Sequence, residues 1–157
     1  MSSVPSLRRP WGRPRGTSID GLANCLKQTP LEAFRDQNLS KLGDSLLNFI
    51  YSLNLSLSQG TPSGGKVPNR VLARAMEHSS HKDLVPRRSD SHRKGDIVEA
   101  IFAYAWLKGN LEIGRAVQFI ARRLDPGALP INQDQYARAL GELMDKLLEE
   151  MGVPPDA

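Results

Sequence analysis

Cysteine is all but missing: Cys25 is the only one in 157 residues. An internal disulfide framework and any multi-cysteine metal site are therefore excluded, and a reducing, cytoplasmic setting fits. Long apolar runs are missing as well. No stretch approaches the roughly eighteen apolar residues of a membrane-crossing helix, and the opening segment MSSVPSLRRPWGRPRG lacks the apolar core of a secretory signal. A soluble, unexported chain with no membrane partner is expected. Aromatics amount to 6%. Neither a persuasive strand-like alternation nor an internal repeat is visible, so the expected fold class is all-α.

What is present is charge, unevenly placed. Lys plus Arg number 21 against 17 acids, a formal +4. Residues 1–16 hold Arg8, Arg9, Arg13 and Arg15 with no acid, so this segment accounts for the whole excess. Its prolines and glycines around Trp11 predict a flexible basic arm. A second imbalance spans residues 61–94, where Lys66, Arg70, Arg74, Lys82, Arg87, Arg88, Arg93 and Lys94 face only Glu77, Asp83 and Asp90. Clusters of this kind suit a polyanion, with solvated surface charge as the plainer explanation. The organisation expected is an arm (1–16), one helical domain (17–152) and a short tail (153–157).

Periodicity supplies the helices. A short one is expected over 18–27. A long one should start at Thr29-Pro30-Leu31-Glu32, where Thr caps, Pro takes the first helical position and Glu follows three residues after the cap. Leu31, Phe34, Leu42, Leu46, Phe49, Ile50, Leu53 and Leu57 then mark one buried stripe up to Gln59-Gly60. Gly43 lies inside that helix, where glycine costs about 1 kcal/mol against alanine, so close packing or ligand approach should explain it. Further helices are expected near 69–78, 93–108, 111–124 (capped by Asn110) and 133–151 (capped by Asn132, closed by Gly152).

Two apparent signals lead nowhere. Gly60 to Lys66 fits a phosphate-loop spacing, but Val67 stands where a magnesium-binding hydroxyl is needed and a helix precedes it. His78, His81 and His92 have no partner cysteine, and are expected to be solvated or to contact phosphate.

Three acids carry more information. Asp96 and Glu99 are three apart on one helix, so both carboxylates leave the same face, about 5–6 Å apart at Cβ. They sit among Ile97, Val98, Ala100 and Ile101, and Asp44 falls likewise between Leu42 and Leu46. Carboxylates beside apolar core are costly unless hydrogen-bonded or bound to a cation. Hard oxygen donors of this type suit Mg²⁺. For any one of these acids alone, an exposed charge or a buried ion pair is the simpler reading.

Leu42-Gly43-Asp44-Ser45-Leu46-Leu47 resembles the L-G-D-[SA] signature of the ribonuclease III family, and Gly95-Asp96-Ile97-Val98-Glu99-Ala100-Ile101 resembles its second acidic motif. With Gly64 to Asn69 (GGKVPN) between them, the run is similar to small archaeal-type members that have the nuclease domain without a double-stranded RNA-binding domain. The likeness covers about residues 31–150. It implies an Mg²⁺- or Mn²⁺-dependent endoribonuclease acting on double-stranded or structured RNA, including ribosomal precursors, as a homodimer. Asp44, Asp96 and Glu99 match the family's catalytic and metal-binding positions. The family's first motif usually has two glutamates before L-G-D; here Gln37 and Ser40 stand there, and Ser40 could reach a metal only weakly or through water. RNA grip would then fall to the arm arginines and to Lys66, Arg70, Arg74, Arg87, Arg88, Arg93 and Lys94. Two alternatives stay open: a ribonuclease III fold with little activity that binds RNA or the ribosome, and a helical interaction protein whose acids are ordinary surface charges.

Overall fold

The computed structural model of the protein describes Leu22 and residues 26–156. The arm, with its four arginines, and most of the expected 18–27 helix lie outside that range. Six α-helices follow in order: α1 (Pro30–Ala33), α2 (Gln37–Gln59), α3 (Asn69–His78), α4 (Ser91–Leu107), α5 (Ile113–Ala121) and α6 (Gln133–Glu150). A 3₁₀ turn, Lys82–Leu84, joins α3 to α4. The described residues contain no strand, which bears out the all-α class. None of their helices is long and apolar enough to cross a membrane.

The expected long first helix is two helices. Thr29 caps α1 as anticipated, with the Glu32 N–H donating to Thr29 Oγ1 at 3.3 Å and the Thr29 hydroxyl donating to Glu32 at 2.9 Å. Asp36 then starts a new helix by accepting from the N–H groups of Asn38 (2.8 Å) and Leu39 (3.3 Å). A carboxylate on two otherwise unpartnered amide donors makes this a better start than a continuation. Phe34, at the break, packs edge-on against Tyr104 with ring centroids 5.8 Å apart.

The expected buried stripe also needs correction. The face of α2 that enters the core carries Leu39, Gly43, Leu47, Ile50 and Asn54. Leu42, Phe49 and Leu57 are exposed, as is Leu31 on α1, whereas Leu46 and Leu53 are half-buried against the core. The helix is apolar on two faces, and periodicity alone could not say which one is covered.

Around α4 the rest is arranged. From Ile97 to Leu107 all its residues except Trp106 are buried, the pattern of a central helix wrapped by others. α2 and α3 pack against it and α6 covers α3. Gly141 permits the last crossing, since a Cβ there would lie 2.8 Å from the Ala75 carbonyl oxygen. Asp90 caps α4 by accepting from the Arg93 N–H at 2.9 Å, and Gly109 turns the chain away in the left-handed region at φ 84°. α5 is shorter than expected and is capped by Glu112, not Asn110. The N–H groups of Asn110 and Leu111 both donate to the Ala105 carbonyl, so that stretch closes α4 instead of opening α5.

The histidine expectation fails for His81. It is fully buried, with Nδ1 2.8 Å from Asp145 Oδ1 and Nε2 3.1 Å from the Val153 carbonyl. Ser79 Oγ also donates to Asp145. Burial pushes the Asp145 carboxyl up, but hydrogen bonds from Ser79, the Ser80 N–H and His81 outweigh it and hold the group below the usual range. His78 lies 3.5 Å from Asp134.

Candidate active site

Gly43 is the point on which the site is built. A Cβ on it would meet the backbone carbonyl oxygen of Glu99 at 1.8 Å, so only glycine lets α2 lie directly on α4 here. That contact brings Asp44, the next residue, to the side of Glu99. Asp96 joins them from one turn earlier on α4, and all three acids line a single cleft of about 410 Å³.

Their environments differ. Glu99 is 7% exposed, while Asp44 and Asp96 are half-buried. Solvated surface charges would not look like this, so the helical interaction protein with ordinary surface acids loses its support. The Ser40 hydroxyl donates to Glu99 Oε1 at 3.3 Å. Burial pushes the Glu99 carboxyl up to about 8, helped by its hydrogen bond with Asp44 and the charges of Asp44 and Asp96, with Ser40 pulling the other way. Asp44 Oδ1 accepts from Asn48 Nδ2 at 3.2 Å.

The sequence-expected site residues are thus brought together, though loosely. No three His, Cys, Asp or Glu side chains among the described residues form a ready-made metal group. The donor chemistry still fits a hard cation. The oxygens are carboxylates, and among the described residues no cationic side chain makes an ion pair with Asp44, Asp96 or Glu99. Mg²⁺ is commonly held by only one or two carboxylates, with water and substrate phosphate filling the remaining positions.

Gln37 and Ser40 line the same cleft. Asp36 does not, because its carboxylate is spent capping α2. Of the expected RNA-facing residues, Lys66 lines the cleft and Arg93 sits beside Asp96 in a small adjoining recess. Arg87, Arg88 and Lys94, with Lys82, line a second groove of about 410 Å³ beyond the start of α4, where Lys94 is 3.7 Å from Glu77. Arg70 is turned toward α6, its Nε donating to Gln133 at 2.9 Å. Arg74 is exposed one turn further on.

Lys41, Asn69 and His92 also line the acid cleft, and the reading of motifs did not put them there. Lys41 was legible as the residue three before Asp44 on the same helix. Asn69 needed the fold: its Oδ1 would lie 2.3 Å from a Cβ on Gly95, so Gly95 makes room for it.

The ribonuclease III profile matches residues 37–153. That span opens on the first residue of α2 and holds every acid of the cleft. The chain belongs to the ribonuclease III family. No curated protein matches it. Ribonuclease III family members are RNA-cleaving endonucleases that generally use a divalent metal, which is the chemistry a cleft of hard oxygen donors can serve.

Proposed function

We propose that this ribonuclease III family protein is an Mg²⁺- or Mn²⁺-dependent endoribonuclease that hydrolyses phosphodiesters in double-stranded RNA, ribosomal precursors among them. The observation that carries the reading is the shared cleft of Asp44, Asp96 and Glu99, without cationic partners among the described residues. These three side chains would hold the cation, with Ser40 contributing through water. When bound there, a divalent cation would supply charge to offset the phosphate and would lower the pKa of a bound water. Glu99, raised to about 8, would have to release its proton to solvent to hold a cation, and the Ser40 hydroxyl, which donates to Glu99 Oε1, would favour the charged carboxylate. The arm arginines, Lys66, Arg70, Arg74, Arg87, Arg88, Arg93 and Lys94 would contact the RNA backbone, so recognition would follow A-form shape more than sequence.

The active unit in this reading is a homodimer in the cytoplasm, formed through the exposed apolar side of α2, with residues 1–16 as an RNA-contacting arm on a 17–152 domain. Long RNA duplex should be cut with Mg²⁺ or Mn²⁺ and left whole with EDTA. Asp44→Asn and Glu99→Gln should abolish cutting while leaving helical content and melting cooperative. Unchanged cutting in both variants would sink the site.

One observation favours a second reading, a binding protein with weak or no activity that associates with RNA or the ribosome. Gln37 and Ser40 line the cleft where the family pattern has glutamates, and Ser40 spends its hydroxyl on Glu99. Arm-dependent co-sedimentation with ribosomal particles, together with no cleavage under either metal, would decide for it.

A further inference from the structure

Charges of both signs share the acid cleft and stay apart. Lys41, Lys66 and His92 line it with the three carboxylates, yet none makes an ion pair with them. Walls that served stability alone would pair such groups. Separated charges suit a ligand that carries both signs, such as a phosphate with its counter-cation.

Lys66 differs from Lys41 and His92 because it stands on a loop, and the loop is fastened to α2 by a ladder of side chains. Ser56 Oγ accepts from the Ser63 N–H at 2.9 Å and lies 3.1 Å from the Ser63 carbonyl. Ser52 Oγ accepts from the Gly65 N–H and donates to the Gly65 carbonyl, both at 3.0 Å. Asn48 Oδ1 accepts from the Val67 N–H at 2.9 Å. Each step goes back four residues on the helix and forward two on the loop. Helical and extended periods therefore match, and every second loop residue turns toward α2. Gly65 fits because a Cβ there would already crowd Leu55 at 3.3 Å. Gly64 and Lys66 fall on the outward positions and are exposed. The last rung is shared: the same Asn48 that holds Val67 donates from Nδ2 to Asp44 at 3.2 Å.

We propose that this ladder is a positioning device that fixes Lys66 beside the carboxylates to grip an RNA phosphate, with Asn48 as the positioning residue that keeps loop and Asp44 in one register. The inference rests on reading the cleft as the RNA-cleaving site. It goes beyond that reading by singling Lys66 out from the other RNA-facing cations, through the loop ladder that holds it, and by adding Asn48 as a residue that acts through another.

The test is duplex RNA binding by the full chain in EDTA, followed across salt concentrations. Lys66→Ala should weaken binding several-fold and lower the salt slope by about one phosphate contact, and Lys66→Arg should restore both. Asn48→Ala should reproduce the Lys66→Ala loss, the two combined should lose no more than either alone, and hydrogen exchange at the Val67 amide should accelerate. Ser52→Ala gives the same readouts should Asn48→Ala fail to fold. Lys108→Ala makes an equal charge change at the far end of α4 and should leave the slope unaltered. An unchanged slope in Lys66→Ala, an equal effect from Lys108→Ala, or additive losses would overturn the proposal. If the wild type cuts RNA but the Lys66 variants bind normally, this inference alone fails. If nothing cuts RNA but the Lys66 effect persists, the cleavage reading fails and the phosphate grip stands.

Discussion

Gly43 on α2 lies so close to Glu99 on α4 that an added methyl group would sit 1.8 Å from the Glu99 carbonyl oxygen. The obstacle is backbone on a central helix, so a side chain cannot simply swing aside. Gly43→Ala should cost about 1–3 kcal/mol, the usual range for an overfilled core, or more if α2 is levered away. Because Asp44 rides on the same contact, RNA cleavage should fall further than stability does. A variant that melts like wild type and cuts at the same rate would show that the helix contact does not set the site.

Glu99 makes metal-free stability depend on pH. Its carboxyl, raised from 4.5 to about 8, is protonated in the fold at pH values where the unfolded chain has lost the proton. The folded state thus binds more protons, and stability falls as pH rises from about 4.5 to 8, by at most about 1.4 kcal/mol per pH unit for one group. Glu99→Gln should flatten that slope and melt higher than wild type at pH 8 in EDTA. A divalent cation competes with the same proton, so Mg²⁺ should raise the wild-type melting temperature more at pH 8 than at pH 6. Equal shifts at the two pH values would remove Glu99 from the ligand set.

The pair formed by the buried His81 and the half-buried Asp145 predicts an acid-side loss. Hydrogen bonds hold the Asp145 carboxyl below its usual range, so its contribution is present above the unfolded value of 3.8 and disappears as pH falls through the depressed folded value. Asp145→Asn should lower stability at pH 7 by about 1–3 kcal/mol, as for a broken buried polar contact. It should also lose less than wild type does on acidification. Chemical unfolding at pH 7 and pH 3 measures both.

Much of this was legible in the sequence. Thr29 and Asn132 cap their helices as their chemistry suggests, the two acidic motifs fall on the two helices that meet at Gly43, and Gly43 announced a close contact before its partner was known. What could not be read was whatever depends on which surface is covered. α2 has two apolar faces, and only α4 chooses between them. His81 sits in a polar, basic stretch, and nothing nearby in sequence indicates that Asp145 and Val153 will enclose it. The ladder was half visible: Asp44, Asn48, Ser52 and Ser56 recur every four residues, a regular polar line on a helix otherwise read for its leucines.

Asn54 shows the same lesson in the core. It is 1% exposed, donates from Nδ2 to the Val117 carbonyl at 3.0 Å and accepts from the Tyr136 hydroxyl at 3.1 Å. α2, α5 and α6 are thereby tied at one residue. Asn54→Leu strips the Val117 carbonyl of its partner outside α5 and leaves the buried Tyr136 hydroxyl without one, and should cost about 2–4 kcal/mol, more than Tyr136→Phe at about 1–2 kcal/mol, which orphans only the amide oxygen. If the order were reversed in urea unfolding, packing of the tyrosine ring and not the amide would be what joins these helices.

The exposed side of α2 makes the last prediction. Leu42, Phe49 and Leu57 are 37%, 52% and 62% exposed, and with Leu46 and Leu53 they follow three- and four-residue steps along one face. In a two-fold dimer each of these side chains is buried twice, and covering a leucine or phenylalanine contributes about 1.5–3 kcal/mol. Replacing both Phe49 and Leu57 by aspartate therefore removes favourable burial at four places and adds charges that must be desolvated. Wild type should sediment as a dimer at micromolar concentration and the double variant as a folded monomer, with unchanged helical content, because neither side chain belongs to the core. If the site needs its twin, duplex cleavage should fall with the dimer fraction and recover at high protein concentration. A wild-type monomer at micromolar concentration would leave this stripe without a second copy to cover it.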